Sequence, residues 1–517
     1  MTRTLAMLIA TLLTGCVALP SLEGRSPSSA LEGTSGTRLG RAIAPLAAAH
    51  PARNGIYPVS VPGEAFAARV LLAETAEKSL DVQYYIWRHD QTGRMLFEAM
   101  LRAAQRGVRV RLLLDDGGSA GIDATLAALD AHPNIEVRLY NPFAKRGREA
   151  IGYATDFARL NRRMHNKSFT ADNQISIVGG RNIGNEYFGA DPDVGFQDLD
   201  VIAIGPVVRE VSHQFDLYWN SPSAYPVSSV IKAIDPARAA QMMREAEARL
   251  KQDPAAQRYL RAVRETPILQ RLLAGDLQKE WADAHVIHDD PSKVLVPPER
   301  KDVQLLPHLT QSMGKPLAEL DLVSPYFVPG KEGTEGLVAL AKGGVKVRVL
   351  TNSLAATDVS PVHAGYAKYR EDLLKGGVQL YELKRTASMQ TETEAEAKER
   401  RDAVGSSGAS LHAKTFGVDR ARIFVGSFNL DPRSARLNTE MGVVISSSAM
   451  ATQLALQFEE NIPEAAYEVR LKDDGSSLQW IERTPEGEKR LDDEPSTGFF
   501  KRLWIGFLGI LPIEWLL

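Results

Sequence analysis

Two histidines carry the chemistry that this sequence is equipped to do. His165 stands in Met164-His165-Asn166-Lys167-Ser168-Phe169-Thr170-Ala171-Asp172, followed by the apolar run Ile175 to Val178 and by Gly179-Gly180-Arg181-Asn182. His412 stands in Leu411-His412-Ala413-Lys414-Thr415-Phe416-Gly417-Val418-Asp419, followed by Ile423 to Val425 and by Gly426-Ser427-Phe428-Asn429. The step from His165 to His412 is also the step from Lys167 to Lys414, from Asp172 to Asp419 and from Asn182 to Asn429. Polar residues held at one offset mark a duplicated site. A neutral imidazole is a nucleophile near neutral pH, and a protonated one is an acid. Two of them across a phosphodiester would attack phosphorus and protonate the leaving alcohol in one step. Lys167, Lys414, Asn182 and Asn429 would then offset the charge on the phosphoryl oxygens. The scheme calls for no metal and no cofactor.

Each copy reads as a strand, a short turn and a second strand. Alternation along a strand turns His and Lys, two positions apart, toward one space, while Asn166 or Ala413 faces away. Asp172 and Asp419 complete the candidate catalytic set. They fall in the turn after Phe, where a carboxylate also accepts backbone N–H bonds, so tying the turn is their second reading. Asn182 and Asn429 follow small residues that leave room for a ligand oxygen.

His-x-Lys-x4-Asp followed by Gly-Gly/Ser-x-Asn resembles the signature of the phospholipase D superfamily, and both copies match it in full. The resemblance implies a two-step transfer through a phosphohistidine, with the second His as acid and then base. It also implies a carboxylate downstream that holds each His. By position these are Asp198 in Phe196-Gln197-Asp198 and Glu440 in Asn438-Thr439-Glu440, although they do not share the motif offset and Asp200 competes for the first role. Which His is the nucleophile stays open at this level.

The duplication extends beyond the motifs. Leu80 to Ile86 and Leu322 to Val328 read as strands, Met95 to Gln105 and Gly333 to Lys342 as helices, and Val108 to Leu114 and Val345 to Leu350 as further strands. Gln105-Arg106-Gly107-Val108-Arg109-Val110-Arg111 lies against Lys342-Gly343-Gly344-Val345-Lys346-Val347-Arg348, and Val137-Arg138-Leu139-Tyr140 against Val378-Gln379-Leu380-Tyr381. Strand-helix-strand units favour a sheet with helices on its faces. The fold class is therefore α/β, a duplicated phospholipase D fold whose halves form a pseudo-dimer around one site. The expected division is a signal peptide over 1–15, a tether over 16–50, a first half over 51–235, a helical connection over 236–300, a second half over 301–470 and an interfacial tail over 471–517.

The chain has 517 residues, 44% hydrophobic and 24% charged, with a formal net charge of −3. That balance suits a folded protein and gives no general attraction to nucleic acid, whose binding rests on phosphate neutralisation. The apolar run Leu5 to Leu13 before Leu13-Thr14-Gly15-Cys16 is too short to span a bilayer and looks like a bacterial lipobox, with Cys16, the single cysteine, as the lipid-anchor residue. Val17 favours the outer over the inner membrane. Ser21 to Gly40 reads as a tether. Lys145, Arg146, Arg148, Arg159, Arg162 and Arg163 form a basic cluster that would gather anionic head groups or remain a solvated face. Residues 387–410 are highly charged and then Gly- and Ser-rich, and read as a loop ahead of His412. The uncharged run Leu503 to Ile513 falls short of the ~20 residues of a spanning helix. Trp504 and Trp515 flank it and Lys501 and Arg502 precede it, a pattern suited to the membrane interface.

The superfamily includes lipases, phosphatidyltransferases and nucleases, which the motif alone does not separate. The lipobox, the interfacial tail and the charge balance favour phospholipid over nucleic acid. Ser212 to Ser221, Asn161 to Lys167 and the residues 499–517 resemble bacterial cardiolipin synthases of the C type. That resemblance implies transfer of a phosphatidyl group to phosphatidylglycerol from phosphatidylethanolamine or a second phosphatidylglycerol, at a membrane in the cell envelope facing the periplasm. Water is the competing acceptor, which would make the protein a phospholipase D hydrolase. The sequence identifies no protein partner.

Overall fold

The computed structural model describes residues 19–144, 146–147, 149–191, 194–266, 268, 271, 279–385, 409–475 and 477–517. The signal peptide, Cys16 and nearly all of the 387–410 loop lie outside the described residues.

The first half contributes β1 (Asn54–Val59), β2 (Ser79–Tyr84), β3 (Arg109–Asp115), β4 (Ile135–Tyr140), β5 (Ser168–Ala171), β6 (Ile175–Gly179), β7 (Gly195–Gln197), β8 (Asp200–Ile204) and β9 (Ala224–Pro226). The second contributes β10 (Glu280–His288), β11 (Glu319–Val323), β12 (Lys346–Asn352), β13 (Gln379–Leu383), β14 (Ala409–Leu411), β15 (Thr415–Val418), β16 (Arg422–Gly426), β17 (Met441–Ser446), β18 (Ala466–Leu471), β19 (Leu478–Thr484) and β20 (Gly487–Leu491). In space the first sheet runs β9-β4-β3-β2-β5-β6-β8-β1. The second repeats that order as β18-β13-β12-β11-β15-β16-β17-β10 and adds β19 and β20 at its edge. Strand β10 pairs with β1 through Glu280 to Ala282 and with β17 through Asp283 to His288, so one strand joins the two sheets. The duplicated α/β architecture expected from the repeats is present.

Each half buries its own apolar core between sheet and helices, and a third cluster closes the seam. There Ile56, Val178, Val201 and Ala203 of the first half meet Ala282, Ala284, Ile423, Val425, Val443 and Ile445 of the second. The repeat even preserves a buried ion pair. Arg111 clasps Asp81 at 2.6 and 2.8 Å, and Arg348 clasps Asp321 at the same two distances. Bidentate geometry of this kind offsets the desolvation of both charges.

Three of the expected boundaries need correction. Much of the stretch read as a tether is packed against the first half. The Arg25 guanidinium donates to the carbonyls of Asn220, Ser221 and Ala224 at 2.6–2.8 Å, and Arg38–Ala49 is a helix whose Leu39 and Ile43 enter the first core. Polar composition concealed this because the segment docks largely through donors to carbonyls, with Leu39 and Ile43 as its apolar anchors. The connection is helical over Pro236–Gln252 and Pro254–Arg264, but β10 lies within it. The span read as a tail opens with β19 and β20, and only Phe499–Ile510 is the apolar helix.

The described members of the basic cluster are engaged internally. Arg146 pairs with Asp116 and Asp123, Arg159 with Asp156, and Arg163 with Asp115, while Arg162 donates to the carbonyl of Val296. Lys145 and Arg148 lie outside the described residues.

Candidate active site

His165 and His412 sit just ahead of β5 and β15 and not within the strands themselves. Each is fixed by the other half. β7 pairs in parallel with β14, and the Gln197 carbonyl accepts from the N–H of His412 at 2.8 Å and of Ala413 at 3.0 Å. This sets Asp198 beside His412, whose Nδ1 lies 2.5 Å from Asp198 Oδ2. In the same way the N–H of His165 donates to the Thr439 carbonyl at 2.8 Å, and the N–H of Thr439 donates to the Arg163 carbonyl at 2.9 Å. Glu440 Oε2 thereby comes to 2.8 Å from His165 Nδ1. Asp198 and Glu440 are thus the residues that hold the imidazoles, and each serves the histidine of the opposite half. Asp200, the competing candidate, is bound to Arg69 and Arg181 instead.

The small residues after β6 and β16 serve those carboxylates. A Cβ on Gly180 would lie 2.1 Å from Asp198 Oδ1, so only glycine admits the carboxylate there. The counterpart Ser427 fills the same position with a hydroxyl that donates to Glu440 Oε2 at 2.5 Å, and Ser434 donates to Oε1 at 2.8 Å. The Gly-Gly/Ser alternation in the motif is therefore a choice between space for a carboxylate and a donor to one. The expectation that this room serves a ligand oxygen is corrected accordingly.

Both lysines approach their own histidine. Lys414 Nζ is 2.9 Å from His412 Nδ1, and Lys167 Nζ donates to the His165 carbonyl. Tyr85 and Tyr326 line the lysines, with ring centroids 5.5 Å and 6.0 Å from the two Nζ atoms. Tyr85 stacks edge-on against His165 at 5.0 Å, and Tyr187 and Phe196 contact His412 at 5.2 and 5.1 Å. Sequence reasoning passed over these aromatics and the two serines. Tyr85 lies in a strand reading where an aromatic is ordinary, and nothing in its spacing separates a wall of the site from core.

The asparagines differ from each other. Asn182 accepts from the N–H of Ile86 at 3.1 Å and donates to the Tyr187 hydroxyl at 3.0 Å, so it is largely engaged by protein. Asn429 is buried, and its Oδ1 has no hydrogen-bond partner. Amide oxygen and nitrogen exchange places with a flip, so this unpartnered end is equally an N–H2 for an anionic oxygen.

Asp172 and Asp419 do not belong to this cluster. Asp172 accepts the N–H groups of Glu77, Lys78 and Ser79 at 2.7–3.2 Å, and Asp419 accepts those of Leu317, Ala318 and Glu319 at 2.7–3.1 Å. Each opens a hairpin turn in the left-handed region, at φ 51° and 52°, which Asp tolerates better than most residues. The expectation that they are catalytic gives way to their second reading, because their oxygens are already taken by backbone. Asp172→Ala is expected to lower stability by about 3 kcal/mol, since three backbone donors lose a charged acceptor. Turnover of the folded fraction should change by less than about threefold. Urea titration beside steady-state rates separates the two, and a large rate loss at unchanged stability would return Asp172 to the chemistry.

Electrostatics distinguish the two histidines. Burial, then Lys414, lowers His412 to about 4, while Asp198 opposes the drop. Burial, then Lys167 and Lys414, lowers His165 well below its ordinary value. Burial alone would raise Asp198, but His412, Lys414 and Arg181 outweigh it and hold the carboxyl below the usual range. Glu440 goes the other way, pushed up to about 7 by burial against the pull of Lys167. Lys414 is lowered to about 8 by burial. His412 therefore faces a firmly ionised carboxylate, and His165 faces one that titrates near neutrality.

A family model described as cardiolipin synthase, phospholipase D-like domain, matches residues 71–219 and 309–462. Cardiolipin synthase C of Escherichia coli (strain K12) is 47% identical over 481 residues, covering 93% of this chain and 100% of that protein. An uncharacterized protein of Helicobacter pylori (strain J99) is 30% identical over 464 residues, covering 87% of each chain. The crystal structure of phosphatidylserine synthase from Haemophilus influenzae Rd KW20 superimposes with a TM-score of 0.56 at 13% identity, over 93% of this chain and 100% of that one, a likeness of fold.

Proposed function

Because the chain belongs to the phospholipase D-like cardiolipin synthase family, we propose that it is a phosphatidyltransferase that makes cardiolipin from phosphatidylglycerol and a phospholipid donor. The observation that carries this reading is the pair of imidazoles from two halves, each with Nδ1 committed to a carboxylate of the other half, which leaves Nε2 of each for the reacting phosphorus.

His165 is the nucleophile and His412 the acid. An acid must hold a proton in the complex, and only His412 faces a carboxylate ionised across the working range. The bound phosphodiester brings a negative charge that offsets Lys414 and helps His412 take up that proton. His165 Nε2 then forms a bond to phosphorus as the bond from phosphorus to the head-group oxygen breaks, and His412 donates its proton to that oxygen. Glycerol or ethanolamine departs, depending on the donor. In the second step His412 takes the proton of a phosphatidylglycerol hydroxyl, whose oxygen displaces His165 and yields cardiolipin. Lys167, Lys414 and the free amide end of Asn429 stabilise the phosphoryl oxygens during both steps.

The substrates place the protein at a membrane. Among the described residues no helix is long and apolar enough to cross one. We infer attachment through Cys16 on the periplasmic side of the bacterial envelope, with the outer membrane favoured by Val17, and an interfacial role for Phe499–Ile510.

Product analysis tests the reaction. Purified protein with phosphatidylglycerol vesicles, with and without phosphatidylethanolamine, is expected to yield cardiolipin together with glycerol or ethanolamine by mass spectrometry. Phosphatidic acid alone would make the protein a hydrolase. No lipid product would overturn the lipid reading.

A further inference from the structure

The apolar face of Phe499–Ile510 does not stand alone. Only Ile505 and Leu508 of that helix are buried, against Leu354 and Ala364, while Phe499, Phe500, Leu503, Trp504, Phe507 and Ile510 are exposed. The first half offers a second exposed set on Glu149–Leu160, a helix kinked at Asp156, where Ile151, Tyr153 and Phe157 are 54%, 39% and 42% exposed. Large apolar side chains clustered in this way on a folded surface mark a contact site. A ladder of rings connects the two sets. Phe143 meets Tyr153 at 5.4 Å, Tyr153 meets Phe157 at 6.4 Å, and Phe157 meets Trp515 at 6.4 Å, just beyond the apolar helix.

We propose that Glu149–Leu160 and Phe499–Ile510 form one bilayer-docking surface, joined at Phe157 and Trp515, so that both halves of the protein lie on the membrane. The inference rests on the reading of the substrate as a bilayer phospholipid and extends the contact to the first half. Three features select a lipid surface as the occupant. The exposed set is rich in Trp, Tyr and Phe, which suit the depth of the head groups, and a helix of twelve residues, ~18 Å long, lies in that layer without crossing it. Trp515 also walls a groove of about 960 Å³ lined by Phe327, Val328, Leu337 and Leu430, an apolar cleft beside the joint in which Lys301 and Arg436 are set among Glu332, Asp431 and Glu514. Finally, both helices bear on the reaction centre. Glu149–Leu160 runs into Asn161, whose carbonyl and side chain accept from Arg433, and Arg433 also donates to the carbonyls of Leu516 and Leu517. The next residue, Ser434, donates to Glu440, the partner of His165. The proposed lipid surface is thus linked through Arg433 to Ser434, one residue on, and through Ser434 to Glu440, which holds His165.

The test is co-sedimentation with vesicles of phosphatidylcholine and phosphatidylserine, using the full chain with Cys16→Ser so that no acyl anchor contributes. Ile151→Ser, Tyr153→Ser and Phe157→Ser combined are expected to lower the vesicle-bound fraction about tenfold, and Phe500→Ser, Leu503→Ser and Phe507→Ser combined to do the same. Hydrolysis of a short-chain phospholipid below its micelle concentration should stay within about twofold in both, which shows that the site is folded. Vesicle binding by the first-half variant equal to the parent would overturn the proposal. So would unchanged vesicle binding accompanied by loss of a dimer in sedimentation velocity, since the face would then belong to a second copy. Vesicle binding is read without turnover, so a protein that docks but makes no cardiolipin would count against the proposed reaction and not against this surface. As an independent reading, brominated acyl chains should quench more of the tryptophan emission of a Trp504→Phe protein than of one that also carries Trp515→Phe, and equal quenching of the two would count against docking at that joint.

Discussion

Alanine in place of His165 or His412 is expected to lower phosphatidyl transfer by about 10⁴-fold or more, because one substitution removes the proposed nucleophile and the other removes the proposed acid. The two losses should differ in kind. Without His412 the leaving alkoxide must depart unprotonated, so a phosphodiester with an acidic phenol as leaving group needs no acid and should recover most of the rate of phosphohistidine formation, while the second step, which uses His412 as base, stays slow. His165→Ala has no atom left to form the phosphohistidine, and the activated ester should not rescue it. Rapid quench after the first turnover gives a second reading: a burst of released phenol with His412→Ala and none with His165→Ala. The reverse pattern would exchange the roles of the two histidines. Equal rescue of both, or activity within tenfold of the parent in either, would remove the paired-histidine mechanism altogether.

The sequence showed most of this arrangement because the chain repeats itself. Two motifs at one offset made the duplication legible, and with it the matching strands and helices of the two halves, since the same pattern of alternation must bury the same faces twice. It did not show the exchange of carboxylates. Asp198 and Glu440 each follow their own histidine in the chain, and only the pairing of β7 with β14 and of Arg163 to His165 with Asn438 and Thr439 carries each across. Pairing between remote segments has no local signature. Gly180 was visible as part of a motif, yet its reason, an oxygen 2.1 Å from where a Cβ would be, is a tertiary fact. Composition misled where side chains were satisfied inside the fold. The arginines at 146, 159, 162 and 163 look like a basic patch in one dimension and are matched by Asp116, Asp123, Asp156, Asp115 and a carbonyl in three. Asp172 was identified with both of its readings open, and the accounting of backbone donors decides between them.

Asp198→Asn and Glu440→Gln should be unequal, although the residues occupy equivalent places. Asp198 is ionised at every working pH and accepts from Nδ1 of His412, which fixes the tautomer and supports the imidazolium. An amide there has an N–H2 that favours the opposite tautomer, and loss of about 10³- to 10⁴-fold in kcat is expected by analogy with carboxylate–histidine pairs elsewhere. Glu440 sits near 7. Below that pH it is protonated and His165 lacks an anionic partner for the charge that forms as Nε2 takes up phosphorus, so kcat/KM should rise as pH increases through about 7. Glu440→Gln should remove that rise and hold the rate near the low-pH level, a smaller loss at pH 6 than at pH 8. Stability follows with the opposite sign. A carboxyl whose folded value lies above its unfolded value of 4.5 binds more protons in the folded state, so it stabilises least at high pH, and stability falls as pH rises through 4.5 to about 7. Glu440→Gln should therefore gain stability relative to the parent between pH 5 and pH 8 while losing activity over the same range. Asp198, held below the usual range, contributes stability at neutral pH that is lost only as acid protonates it, and Asp198→Asn should be the less stable variant at pH 7. Thermal melts and pH-rate profiles of the two variants, measured side by side, carry the test. Parallel profiles would mean that the two carboxylates are electrostatically alike, and the assignment of nucleophile to His165 and acid to His412 would lose its physical basis.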